Sequence, residues 1–322
     1  MTTAVRRGRA LLALACGALC LTPSLGRADL VPGDHTFKLD YQQRHRSYIV
    51  HVPKAGSNAA RPVVLNFHGG GAYAANQQSY SRMDATAERE GFLAVYPDGT
   101  GRLATRLLTW NAGTCCGYAS EHNVDDVGFT RAVVEDLSRR TPANRSRIYA
   151  TGLSNGAMMA YRLALEASDL IAAIAPVAGS EVAPFHPVRP VSILHIHSVD
   201  DPRALYTGGL GPPVPFTDVR VQHPPVEQVI SRWVEYDGCP RQPHLEPPRR
   251  GSGKTFRHTA TRIVYAPCRD GTEIVLWKLT GAGHVWPGGK LDYLPRLLGP
   301  GTDVIDANAE MWQFFSRFRR TP

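Results

Sequence analysis

The chain has 322 residues, 43% of them hydrophobic and 20% charged, with 36 basic and 28 acidic side chains and a formal charge of +8. That length holds one large domain with a substantial core. The basic residues are scattered apart from the short clusters Arg249-Arg250 and Arg319-Arg320, with no basic stripe interleaved with aromatics, so nucleic acid is not an expected partner.

Arg6, Arg7 and Arg9 precede an almost unbroken apolar stretch over 10–21, followed by a short small-residue segment ending at Gly26-Arg27-Ala28. This is the layout of a cleavable secretory signal over 1–28, with the cut near Ala28/Asp29. The apolar run falls short of the ~20 residues that span a bilayer. A mature chain over 29–322, secreted or periplasmic and with no membrane association, is therefore expected. Losing Arg6, Arg7, Arg9 and Arg27 brings its formal charge down to near +4. Cys16 and Cys20 leave with the leader, and the residues before them make poor lipid-attachment sites.

Beyond the leader, short apolar runs alternate with helical stretches, the pattern of a mostly parallel sheet wrapped by helices. Strands are expected over 46–52, 63–67 and 92–96, with a helix over 81–90. A helix over 127–139 leads to a strand at 147–151 and a further helix over 155–167. Strands near 171–177 and 191–197, a helix over 226–236, a late strand at 273–279 and an amphipathic helix over 306–317 complete the series. The segments 207–225 and 240–262, rich in Pro, Gly or basic residues, read as surface excursions between sheet elements. No repeat is visible, and no second module follows the last helix.

Four cysteines belong to the mature segment. In an oxidising compartment an even number favours disulfides, here with three connectivities. Cys239 and Cys268 flank predicted elements of the same C-terminal region and form the preferred pair. Cys115 and Cys116 are adjacent, and the sequence leaves open a vicinal disulfide, free thiols or a distant partner.

The strongest chemical signal is Gly152-Leu153-Ser154-Asn155-Gly156, lying between a predicted strand and a predicted helix. A serine nucleophile must be lifted out of a sharp strand-to-helix turn, and glycines two residues to either side relieve the resulting clash. The helix that follows points backbone N–H groups toward the place where negative charge develops. A second glycine-rich segment, His68-Gly69-Gly70-Gly71, ends a buried strand. Its position suits an oxyanion hole made by the N–H of Asn155 with that of Gly70 or Gly71. His68 reads as a support for that loop. After such a serine the chain order is acid, then histidine. Asp200 and Asp201, in the loop after the strand near 191–197, both qualify as the acid. His284, in Gly281-Ala282-Gly283-His284-Val285-Trp286-Pro287-Gly288, has the best context of the 12 histidines for the base. His51, His186, His223, His244 and His258 read as ordinary surface or core residues. No zinc-binding spacing such as H-E-x-x-H occurs, so neither metal nor organic cofactor is expected.

Together these residues resemble the secreted esterases related to poly(3-hydroxybutyrate) depolymerases, a group that includes feruloyl and acetylxylan esterases. The likeness runs from about Tyr48 to Phe318. It is carried by Asn66-Phe67-His68-Gly69-Gly70-Gly71, the segment 91–99, Trp110-Asn111-Ala112-Gly113, Val124-Asp125-Asp126-Val127-Gly128-Phe129, the serine motif and Gly283-His284-Val285-Trp286-Pro287-Gly288. The resemblance implies a single α/β-hydrolase domain and a Ser154–His284–Asp201 triad, because the group's acid precedes a proline, here Pro202. It departs from the usual pattern at Ser198, where glycine is more familiar, and at Ala204-Leu205. Trp110, Asn111 and Trp286 are similar to residues near the group's substrate cleft. The implied substrates are 3-hydroxybutyrate oligomers, polyester or other short-acyl esters, with plant cell-wall esters as the alternative. A non-catalytic binder on the same scaffold would have no need of the three triad positions and the oxyanion loop.

Overall fold

The computed structural model describes residues 1–4, 29–54, 59–213 and 220–320, so the expected leader lies, beyond its first four residues, outside the described residues. The chain enters with an antiparallel pair, β1 (Gly33–Tyr41) and β2 (Arg44–Val52), followed by β3 (Arg61–Phe67). Helices α1 (Ala74–Ser81) and α2 (Met83–Glu90) lead to β4 (Leu93–Pro97). Next come α3 (Gly117–Glu121), α4 (Asp126–Arg140), β5 (Ala143–Leu153) and α5 (Asn155–Glu166). β6 (Ala173–Val177) and β7 (Ser192–Ser198) follow, then the small hairpin β8 (Gly209–Leu210) and β9 (Gln222–His223), and α6 (Val226–Tyr236). The chain closes with β10 (His244–Leu245), β11 (Arg249–Arg250), β12 (Thr259–Tyr265), β13 (Ile274–Thr280), α7 (Pro295–Leu298) and α8 (Ala307–Phe315).

The main sheet runs β1-β2-β4-β3-β5-β6-β7-β13-β12-β10, with β11 also on β12. The central stretch from β4 to β13 is parallel, and both ends are antiparallel. Central strands are buried on both faces, so they read as continuous apolar runs. The two-residue alternation then sorts their side chains between two cores. In β3, Val63, Leu65 and Phe67 join the core beneath α4, α5 and α6, while Val64 joins the one beneath α2 and α8. In α6, Val226, Val229, Ile230, Trp233 and Val234 are buried, the i, i+3, i+4, i+7 stripe of a helix with one apolar face. Asp125 caps α4 by accepting from the N–H of Gly128, and Asp306 caps α8 by accepting from Asn308 and Ala309. No helix among the described residues is long and apolar enough to cross a membrane.

Three expectations change. The helix expected over 81–90 is α2, and an unexpected helix, α1, precedes it, the two being separated by Arg82 in a left-handed conformation (φ 56°, ψ 28°). The segment 240–262 is not only a surface excursion: it contributes β10, β11 and the start of β12, which extend the sheet beyond β13. The strand β1 was not foreseen, although Phe37, Leu39 and Tyr41 alternate with polar residues and pack against the core, as one face of an edge strand does. Cys239 is joined to Cys268, with Cα atoms 4.1 Å apart, which ties the end of α6 to the approach to β13. Cys115 and Cys116, left open by the sequence, are joined to each other across a cis peptide bond.

Candidate active site

The carboxyl ends of parallel strands collect the chemistry of an open α/β sheet, because every strand-to-helix loop emerges on that edge. Ser154 follows β5 and caps α5 with φ 57° and ψ −118°, a conformation that few side-chain-bearing residues adopt. The flanking glycines are sterically required. A Cβ on Gly152 would meet the backbone of Gly156 and the carbonyl of Phe67 at 2.6 Å, and one on Gly156 would meet the His68 carbonyl at 2.7 Å. A chain of backbone bonds crosses the same edge. Ser154 N–H donates to Val177 at the end of β6 (2.9 Å), Ala178 to Ile196 of β7 (2.9 Å), and Val199 to Leu279 of β13 (2.9 Å). The loops after β5, β7 and β13, which carry Ser154, Asp201 and His284, are thereby held to one rim of the sheet.

Of the two candidate acids, the structure brings Asp201 to His284. His284 Nδ1 lies 2.8 Å from Asp201 Oδ2, and both residues are buried. Asp200 turns elsewhere, accepting from the N–H of Gly281 at 2.7 Å. Burial opposes ionisation of Asp201, but His284 and His197 beside it outweigh that and hold its carboxyl well below the usual carboxylate range. Its other oxygen accepts from the N–H groups of Arg203 (2.7 Å) and Ala204 (2.9 Å). An ionised Asp201 only accepts hydrogen bonds, so the neutral His284 ring carries its proton on Nδ1 and keeps a lone pair on Nε2. The loop holding His284 is tied down through Gly283 N–H to Pro300 (2.8 Å) and His284 N–H to Leu298 (2.6 Å).

The oxyanion expectation narrows. Gly71 N–H donates to the Leu108 carbonyl at 2.8 Å, so it serves the loop and is not available to a ligand. Among the described residues no hydrogen bond engages the N–H of Gly70 or of Asn155. The loop itself rests on His68. Its Nδ1–H donates to the Gly69 carbonyl (2.8 Å), its Nε2 accepts from Gly99 N–H (3.0 Å), and burial pushes its pKa down to about 4.

The three side chains expected near substrate lie beneath the surface with their polar atoms engaged. Trp110 is fully buried; its indole N–H donates to the His68 carbonyl at 3.0 Å. Asn155 brackets the Trp110 backbone, accepting from its N–H (2.7 Å) and donating to its carbonyl (3.0 Å). Asn111 donates to Val124 at 3.0 Å, and Trp286 donates through its indole to Asn308 at 3.0 Å. Direct substrate contact by these polar groups is therefore replaced by support of the two loops. Asp126 and Arg46, buried together at 2.8 Å, complete that support, since Asp126 also accepts from Asn111 N–H at 2.8 Å. The sequence reading missed Arg46 and Asp126 as a pair, and gave His195 and His197 no role beside the acid. The only available signal was the alternation of two histidines along an otherwise apolar strand.

One group of metal-ligand type occurs among the described residues: Asp34, His51 and Asp84, with ligand atoms within 4.8 Å of one another. His51 already pairs with Asp34 (2.6 Å) and Glu88 (3.0 Å). It lies opposite Ala94, toward the amino end of β4 and away from the rim that carries Ser154.

The family described as Esterase PHB depolymerase matches residues 46–211, a span that includes Ser154 and Asp201 and ends before His284. The chain is 29% identical over 267 residues to a protein named putative esterase NocK from Nocardia uniformis subsp. tsuyamanensis, covering 80% of this chain and 75% of that one. It is 28% identical over 262 residues to feruloyl esterase B of Piromyces equi, covering 77% of this chain but 44% of that longer protein. Among solved structures, an acetyl xylan esterase from Aspergillus awamori superposes with a TM-score of 0.57 over 88% of this chain and 99% of the other, at 14% identity. That likeness supports the α/β-hydrolase fold.

Proposed function

The chain belongs to the esterase PHB depolymerase family, and from that premise we propose that it is a serine carboxylic-ester hydrolase in which Ser154, His284 and Asp201 act as the triad. The observation that carries this reading is the buried 2.8 Å contact of His284 with an ionised Asp201, on the rim where Ser154 stands in a strained elbow. His284 Nε2 takes the proton of Ser154 as its Oγ attacks the ester carbonyl, and Asp201 stabilises the imidazolium that forms. The N–H groups of Asn155 and Gly70 receive the oxyanion, each such donor contributing ~2.7–4 kcal/mol in well-studied enzymes. The imidazolium then protonates the leaving alcohol, and water activated by His284 cleaves the acyl-enzyme. The acyl group is that of a 3-hydroxybutyrate oligomer or a similar short-acyl ester. The names of the relatives favour a second reading, a feruloyl or acetylxylan ester of the plant cell wall. The paired cysteines support an oxidising destination, secreted or periplasmic, reached through the signal over 1–28.

The test compares purified mature protein with Ser154→Ala on p-nitrophenyl acyl esters, 3-hydroxybutyrate oligomers, methyl ferulate and acetylated xylan. Turnover by the wild type is expected to fall by roughly 10⁴-fold or more in the variant. The best substrate of the panel chooses between polyester and cell-wall esters. Equal turnover by both proteins would remove Ser154 from the chemistry.

A further inference from the structure

Burying an imidazole or a phenol is costly unless every polar atom finds a partner. The core beneath the proposed acid nevertheless contains three such groups in a row. Tyr161 of α5 and His195 of β7 are fully buried, and His197 is 2% exposed. Tyr161 Oη lies 2.8 Å from His195 Nδ1, and His195 Nε2 lies 3.0 Å from His197 Nδ1. His197 Nε2 lies 2.8 Å from the Ala204 carbonyl and 3.3 Å from Asp201 Oδ2. His195 and His197 alternate along one strand, so the pleat turns both rings to the same face.

The proton positions follow from the end of the string. The Ala204 carbonyl and an ionised Asp201 can only accept, so Nε2 of His197 carries a hydrogen. A neutral His197 then offers Nδ1 as an acceptor, which His195 fills with its own Nε2–H. His195 Nδ1 in turn accepts from the Tyr161 hydroxyl. Burial, with His197 beside it, keeps His195 neutral, and burial holds Tyr161 as the phenol. Every donor points toward Asp201, and no polar atom of the string lacks a partner. At its near end the string closes a small ring. Ala204 gives its N–H to Asp201 Oδ1, while its carbonyl receives His197.

We infer that Tyr161, His195 and His197 form a positioning relay for the proposed triad acid: His197 holds the Asp201 carboxylate and the 201–204 turn in the orientation His284 needs, and the other two lock His197 in its donor tautomer. This rests on the serine-hydrolase reading above. None of the three touches the reacting atoms, so their effect reaches the chemistry through Asp201. The other ionisable groups acting on Asp201 and its partner are Arg203 and His223, while Glu181 and Arg232 act on Tyr161.

The experiment uses the purified mature protein with a p-nitrophenyl ester, first with Ser154→Ala as control. His197→Leu is expected to lower kcat about 10- to 100-fold, the range for a lost hydrogen bond to a charged group, with KM within about twofold. The acid limb of its kcat/KM profile moves to higher pH, because an Asp201 charge shared with fewer donors holds the His284 imidazolium more tightly. His197→Gln, whose amide N–H can reach toward the same acceptors, restores most of kcat and the original limb. A folded His197→Leu protein with wild-type kcat and limb overturns the relay, as does equal impairment of the Leu and Gln variants. If the Leu variant fails to fold, the imidazole ¹⁵N spectrum of the wild-type protein decides: His197 protonated on Nε2 with a bare Nδ1 supports the relay, and the opposite tautomer or a doubly protonated ring overturns it. Turnover that survives in Ser154→Ala sinks the serine reading instead, and the tautomer measurement still reports on the string.

Discussion

The two flanks of Ser154 are built from different materials. On the proposed oxyanion side, the 68–71 loop and the Trp110 segment are held by backbone groups, by the side chain of Asn155 and by the indole of Trp110. On the proposed acid–base side, the loops after β7 and β13 meet through Asp201, His284 and His197. A backbone N–H has no protonation state, so the first flank needs only to be in place. The second must be in place and also carry its protons on the right nitrogens. The oxyanion flank therefore fails when its geometry fails, whereas the acid–base flank can fail with its geometry intact.

The largest effect expected from this difference is on the acid–base side. Asp201→Asn keeps the size of the side chain but can turn an N–H toward His284 Nδ1, favouring the wrong tautomer. A fall in kcat of about 10⁴-fold is expected, with little change in thermal midpoint. Measured beside the unfolding curve, a loss of kcat that merely tracks lost stability would erase the distinction between the flanks.

The matching lesion on the other side is Asp126→Ala. It strands Arg46 in a buried site, and a destabilisation of about 3–5 kcal/mol is expected from urea unfolding. The pH dependence of whatever activity remains should keep its wild-type shape, since no proton carrier has been touched. A displaced pH profile would show that Arg46 and Asp126 act electrostatically on the acid–base side as well.

Among the titratable supports of the proposed oxyanion flank, His68 sharpens the contrast. Its folded pKa, about 4, lies below the 6.5 of an unfolded chain because burial disfavours the cation. As pH falls below 6.5 the unfolded chain takes up a proton that the folded chain excludes, so stability is lost between pH 6.5 and about 4. The loss amounts to on the order of 3 kcal/mol for this residue. Unfolding midpoints of wild type and His68→Gln should converge across that window. Parallel midpoint curves would mean that the loop does not depend on a neutral His68.

Much of the site was legible because its signals are local. The elbow needs a serine with glycines two residues away, and the steric reason lies within the strand and helix that the motif joins. Helix α1 escaped because Ala74–Ser81 is mostly polar and even its buried side includes Gln77 and Ser81, so no apolar stripe marks it. Asp200 and Asp201 were indistinguishable by position, because both follow the same strand; the resemblance pointed to Asp201 through Pro202, and a loop 83 residues later brings His284 to that residue. Gly71 looked as suitable as Gly70 until Leu108 took its N–H. Arg46 and Asp126 are 80 residues apart, and nothing near either one announces the pair.

By itself, then, the sequence determined the alternation of strands and helices and the strained turn that carries Ser154, since each depends on neighbours within one or two turns. Only the tertiary structure decided which glycine N–H is free, that Arg46 meets Asp126 and where His195 and His197 point. Those outcomes depend on the order in which strands lie side by side, and that order is set by the packing of two cores on opposite faces of one sheet, a property of the whole chain.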